Sequence, residues 1–176
     1  MRLSLISVVL VGLAGCGGGG ERAQTTRTTR TIPPPEIRGT SPLIPTEAVG
    51  PAPAGAPRVI RSWAAAVREA NWGRAADLIA TGARVQNGGP VERLISRNVI
   101  LFWNASLPCG ATVEDIGGAK GYAIVRFRLT ERKEGNCGDG IGNVARAAIK
   151  VDAGRITGWY RLPSPDDKPE PEGQLS

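Results

Sequence analysis

The chain contains no histidine, and only three cysteines and one methionine among its 176 residues. Without His there is no Ser-His-Asp triad, no Cys-His nucleophile pair and no His-ligated metal site. Three Cys are too few for a four-thiolate zinc site. No metal and no cofactor is therefore expected. Aromatic residues are scarce, at 5%. No apolar run approaches the roughly 20 residues that cross a bilayer as a helix. Glycine and proline are what abound, with 24 Gly and 14 Pro. That share implies one folded part joined to flexible parts. The 41% of hydrophobic residues is enough for a packed core, and the length fits one domain.

The first sixteen residues read as an address. Arg2 precedes an apolar run from Leu3 to Ala14, which has the length of a signal-peptide core. The run ends in Leu13-Ala14-Gly15-Cys16, which resembles the lipobox of bacterial lipoproteins. The resemblance implies cleavage before Cys16 and lipidation of its thiol, palmitate being one acyl chain to test for. It also implies export and a lipid anchor at the outer face of the bacterial cell membrane, or of an outer membrane where the cell has one. Two or more acyl chains hold a protein stably where one holds it reversibly. The Gly17–Gly20 run gives the lipidated end room at the membrane.

Composition divides the remainder of the chain. Residues 17–56 are rich in Thr, Pro, Gly and Ala, bury too little apolar surface to offset their ordering entropy, and read as a disordered tether. A proline-rich recognition site is the alternative use of that stretch. Residues 163–176 carry four acids against one Lys and read as a disordered acidic tail. Residues 57–162 read as the folded domain, with 16 Lys and Arg against 9 Asp and Glu, a net charge of +7.

Within the domain the periodicity is helical first. Val59, Trp63, Val67 and Ala70 fall three or four apart behind Pro57, a residue suited to a first helical turn. Asn71 caps a second helix over Trp72–Ile79, closed by Gly82. A short extended piece comes next, Ala83 to Gln86, then the turn signal Asn87-Gly88-Gly89-Pro90. Ser96 caps a third helix that Pro108 stops. After Cys109 the period becomes two. Thr112–Ile116, Gly121–Glu131, Val144–Val151 and Arg155–Leu162 read as strands, with turns at Gly117-Gly118 and Asp152-Ala153-Gly154. One apolar and one polar face per strand predicts an antiparallel sheet covered on one side. Three N-terminal helices on that side complete an α+β domain.

This order resembles the nuclear transport factor 2-like superfamily, with its SnoaL-like cyclases, ketosteroid isomerases and limonene epoxide hydrolases. The residues that carry the resemblance are Val59-Ile60-Arg61-Ser62-Trp63 leading into Asn71-Trp72-Gly73-Arg74-Ala75-Ala76-Asp77-Leu78, and the closing Val151-Asp152-Ala153-Gly154-Arg155-Ile156-Thr157-Gly158-Trp159-Tyr160. It implies a cone: a curved sheet around a long first helix, with a pocket at the open end. The motifs are structural, and the family's catalytic patterns find no match here.

Several residues are candidates for chemistry. With Cys16 lipidated, Cys109 and Cys137 remain. Outside the cytoplasm such a pair is expected as a disulfide, the alternative being a reactive thiol that no His is present to activate. The glycines from Gly135 to Gly142 read as a hairpin loop, since they neither follow a strand into a helix nor alternate with carboxylates. Trp63, Phe102, Trp103 and Phe127 are candidate core or pocket aromatics. Asp115 alternates with Val113 and is expected to point inward, with Tyr122 near it. Arg126, Arg128, Arg146 and Lys150 are expected to share a basic sheet face, extended by Arg155 and Arg161. That face suits anionic lipid or wall polymer. Nucleic acid is not expected of an exported chain without interleaved exposed aromatics. The expected function is a tethered, non-catalytic binding module with no catalytic residue, serving a small apolar ligand, a lipid or a partner protein. The alternative is a cyclase-like or isomerase-like enzyme, which needs two polar groups converging in the pocket.

Overall fold

The computed structural model describes residues 43–164. Along them run β1 (Gly50–Pro51), α1 (Ala56–Arg68), α2 (Trp72–Asp77), β2 (Ile79–Gln86), β3 (Glu92–Leu94), α3 (Arg97–Ser106), β4 (Gly110–Ala119), β5 (Tyr122–Thr130), β6 (Val144–Asp152) and β7 (Arg155–Leu162). The strands form one sheet in the order β1-β4-β5-β6-β7-β2-β3. Neighbours are antiparallel except β2 and β7, which run parallel.

The helices begin where local chemistry starts them. Gly55, at φ 78°, leads α1 with Pro57 in the first turn. The Asn71 side chain accepts from Arg74 N–H at 3.1 Å, and Ser96 Oγ accepts from Val99 N–H at 3.4 Å. Leu107, forced out of helical backbone by Pro108, ends α3. The apolar stripe of α1 packs Val59, Ile60, Trp63 and Val67 against the inner face of the sheet, into one core with Ala123, Val125, Phe127, Ala147, Ile149 and Trp159.

The architecture differs from the sequence expectation at several points. The sheet is mixed rather than antiparallel, and a β2–β3 hairpin separates α3 from the first two helices. The helix expected to reach Ile79 stops at Asp77, because Ile79, Ala83 and Val85 bury themselves in a strand instead. Gly82, at φ 87°, lies where the β2–β7 register shifts, so it marks a bulge and not a helix end. Gly117-Gly118 is not a turn but part of β4, paired with β1; the turn lies at Lys120-Gly121, both with positive φ.

The tether expected to run to residue 56 is ordered along residues 43–55. Val49 N–H donates to Gly118 O at 2.9 Å, and β1 pairs with β4. Ile44 packs on a second apolar cluster, on the outer side of the sheet, made by Ala119, Tyr122, Ile124, Ala148, Tyr160 and Leu162. Cys16 and most of the acidic tail lie outside the described residues.

Candidate functional site

The inner face of the sheet does not close completely over α1. A cavity of about 270 Å³ remains between α1, the ends of β5, β6 and β7, and the loop after β5. Trp63, Phe127 and Trp159 form its aromatic wall, with Val67, Leu107, Leu129 and Ala145 completing the apolar lining. Asn87, Asn143 and Arg161 are its polar lining residues; Arg146 borders it too, but its guanidinium is turned to Thr46 and Glu47 on the outer face. No carboxylate is among the lining residues.

The wall is rigid for identifiable reasons. Trp63 stacks on Trp103 at 6.0 Å between centroids and meets Phe127 and Trp159 edge-on or tilted at 6.5 and 6.4 Å. Its indole N–H donates to Asn104 Oδ1 at 2.8 Å. Asn104 is fully buried and donates in turn to Ile100 O at 2.8 Å. Trp63 is thereby held by one buried hydrogen bond as well as by ring contacts. The Trp159 N–H, in contrast, is buried without an acceptor among the described residues.

Cys109 and Cys137 are joined, with Cα atoms 4.5 Å apart, and Cys109 lies at the cavity. The bond pins the loop after β5. Lys133 N–H to Arg68 O at 2.8 Å and Arg132 Nη2 to Ala105 O at 3.0 Å hold the same loop against the ends of α1 and α3. Arg132 also lies over the Trp72 ring at 4.9 Å.

The structure divides the candidate pocket residues. Trp63 and Phe127 line the cavity, and Trp103 stands behind them, facing a second hollow of about 220 Å³. Phe102 departs from expectation: it is 76% exposed, at the rim of that second hollow, because its neighbours Ile100, Trp103 and Asn104 take the buried side of α3. Asp115 does not point inward. A bulge at Glu114 sets both Glu114 and Asp115 opposite Arg126, which reverses the alternation and leaves the Asp115 carboxylate exposed, accepting from the Ile116 N–H at 2.9 Å. Tyr122 belongs to the outer cluster, edge-on to Tyr160 at 6.2 Å. Asp115 and Tyr122 are therefore not brought together in the cavity.

The four expected cations do share the outer face, but each has a carboxylate partner. Glu114 accepts from Arg126 at 3.0 Å and from Arg128 at 2.8 Å. Arg146 meets Glu47 at 3.0 Å, and Lys150 stands 3.9 Å from Asp152. The hydrogen bond from Arg128 holds the Glu114 carboxyl below its ordinary pKa, against desolvation and with help from the charges of Arg128 and Arg126. Burial, aided by the neighbouring Tyr122, pushes the Tyr160 phenol above its ordinary value.

Sequence reasoning missed Trp159, Asn87 and Asn143 as cavity residues, and Asn104 behind them. Trp159 was legible from alternation, two residues before Arg161 on the same side of β7. Nothing local marks the three asparagines, which the fold brings together from separate elements.

No protein-family model matches the chain, and no curated protein sequence matches it. Solved structures do. A candidate polyketide cyclase from Sinorhizobium meliloti is similar with a TM-score of 0.50 at 16% identity, over 60% of this chain and 94% of the other. A protein of ketosteroid isomerase-like fold from Catenulispora acidiphila, in complex with trimethylamine, also gives 0.50 at 16% identity, over 62% and 87%. Likeness at this identity concerns the fold. The domain has an α+β fold of the ketosteroid isomerase-like kind, with three helices and a mixed seven-stranded sheet among the described residues.

Proposed function

We propose that the domain binds a small apolar molecule in the cavity walled by Trp63, Phe127 and Trp159, without transforming it. The observation that carries this reading is the lining itself: a preformed apolar hollow of about 270 Å³ with neither carboxylate nor His. A general acid or base must stand within hydrogen-bond reach of the reacting atom. Asp115 and Tyr122, the groups expected for that work, lie on the other side of the sheet. Apolar walls with a few polar groups among them are the usual form of a ligand pocket.

The same proposal places the domain outside the cell, tethered through a lipid on Cys16. The outer face adds little to that anchor, since Arg126, Arg128, Arg146 and Lys150 are set against Glu114, Glu47 and Asp152. Anionic lipid or wall polymer meets a net of one positive charge across those seven groups.

A second reading, an enzyme of the cyclase or isomerase kind, is favoured by the similar fold of the candidate polyketide cyclase. One experiment separates the two. The full chain is titrated with the fluorescent probe 1-anilinonaphthalene-8-sulfonate, and separately incubated with a ketosteroid. The binding reading expects saturable probe binding that Ala145→Phe, which fills the cavity, abolishes, and no isomerisation. Probe binding unchanged by Ala145→Phe would remove the cavity from the account, and isomerisation lost in the same variant would establish the enzyme.

A further inference from the structure

Residues 43–51 cross the outer side of the sheet as a strap, and the sheet is shaped to receive it. The Gly117-Gly118 pair lies inside β4, near its end, and glycine within a strand weakens pairing and commonly marks the close approach of another backbone. A Cβ at Gly118 would collide with the Pro51 carbonyl, and one at Gly117 with the Ala48 side chain. Two strands further in, on β6, the Arg146 guanidinium donates to Thr46 O at 2.6 Å and to Glu47 Oε1 at 3.0 Å. Beyond it Ile44 sits on the apolar cluster that includes Tyr122, Ile124 and Tyr160. A backbone ladder and an apolar seat are the two parts of strand-addition peptide recognition, and Arg146 adds a charge clamp.

The strap itself is lightly held. Only two of its residues pair in the sheet, and residues 46–51 are exposed. Segments with few buried contacts open at low free-energy cost. We propose that the surface formed by Gly117-Gly118, Arg146 and the Tyr122–Tyr160 cluster is a peptide-docking site, and that residues 43–51 are its resident, exchangeable ligand. In trans its occupant is the same segment of a second copy: an apolar residue, an acid three positions later, then a small residue and, two positions on, Gly-Pro. The cis strap competes at the millimolar effective concentration that a short connection confers, so the site is masked until the strap lifts.

The test uses a fluorescein-labelled peptide of residues 43–52 and the full chain. A chain carrying Ile44→Glu and Glu47→Lys, with its own strap weakened, should bind the peptide at least tenfold more tightly than wild type. Adding Gly118→Val to that chain should abolish binding. Equal affinity for wild type and the strap-weakened chain, or binding that survives Gly118→Val, would overturn the proposal. A second measurement needs no variant. Excess unlabelled peptide should speed amide exchange at Val49 in the wild-type chain and leave β5 and β6 unchanged. An unaltered Val49 rate would mean that the strap is a fixed structural element and would overturn the proposal as well.

Discussion

Replacing both bridged cysteines, as Cys109→Ser with Cys137→Ser, should cost the domain much of its stability while leaving its fold in place. The bond spans a sequence separation of 28. Loop-closure entropy for a segment of that length gives about 3–4 kcal/mol. The loop is also held by contacts other than the bond. Lys133 N–H still reaches Arg68 O, Gly142 N–H still reaches Leu129 O, and Arg132 still reaches Ala105 O. The loss therefore comes from a freer unfolded chain and not from a released loop. For a domain of this size the shift in Tm is roughly 10–20 °C downward. Thermal unfolding of the full chain, followed by far-ultraviolet circular dichroism with and without reductant, measures it. The reduced protein should match the double variant. A Tm lowered by less than about 3 °C, or free thiols at both positions in a non-reduced digest, would refute the reasoning.

Other predictions rest on single side chains. Asn104→Leu removes the acceptor of the buried Trp63 N–H, and chemical denaturation should show a loss of about 1–3 kcal/mol; unchanged stability would mean that this hydrogen bond does not hold the wall. Glu114→Gln should matter at neutral pH and not in acid. The folded-state pKa of Glu114 is lowered, so its stabilisation is complete above the unfolded carboxylate pKa and disappears as pH falls through the folded value. Melts of both proteins across that range should converge at low pH, and a constant gap would contradict the charge pairing. In cells, Cys16→Ala should abolish incorporation of labelled palmitate and release the protein from the membrane fraction; equal membrane association without label in wild type would contradict the lipid anchor.

Much of the architecture was legible because the relevant signals are local. Helical spacing located the stripe of α1, and Asn71 and Ser96 announced the starts of α2 and α3. Alternation gave the inner face of β5, so Phe127 was readable as an inward residue. The errors arose where an interaction distant in sequence overrides the local pattern. Gly117-Gly118 carries turn chemistry, yet it is strand because residues 48–51 press against it. Asp115 alternates with Val113, yet one inserted residue at the Glu114 bulge turns it outward. Gly82 looks like a helix stop, yet it kinks a strand that runs parallel to the chain's last one. The cavity was the least legible feature. Its wall draws on α1, β5, β6 and β7, and its asparagines come from the loops beside β2 and β6, whose positions only the folded sheet defines.

The central claim is that the cavity receives a small apolar ligand, and the indole N–H resonances report on it most directly. The chain has four Trp, of which Trp63 and Trp159 wall the cavity, whereas Trp72 lies under Arg132 away from it. Proton–nitrogen NMR spectra of the full chain would be recorded during titration with 1-anilinonaphthalene-8-sulfonate. The account predicts saturable shifts at the Trp159 and Trp63 indoles, whose rings wall the cavity, with Trp72 unmoved. Saturable shifts confined to Trp72, or to residues of the outer face around Tyr122 and Tyr160, would contradict it.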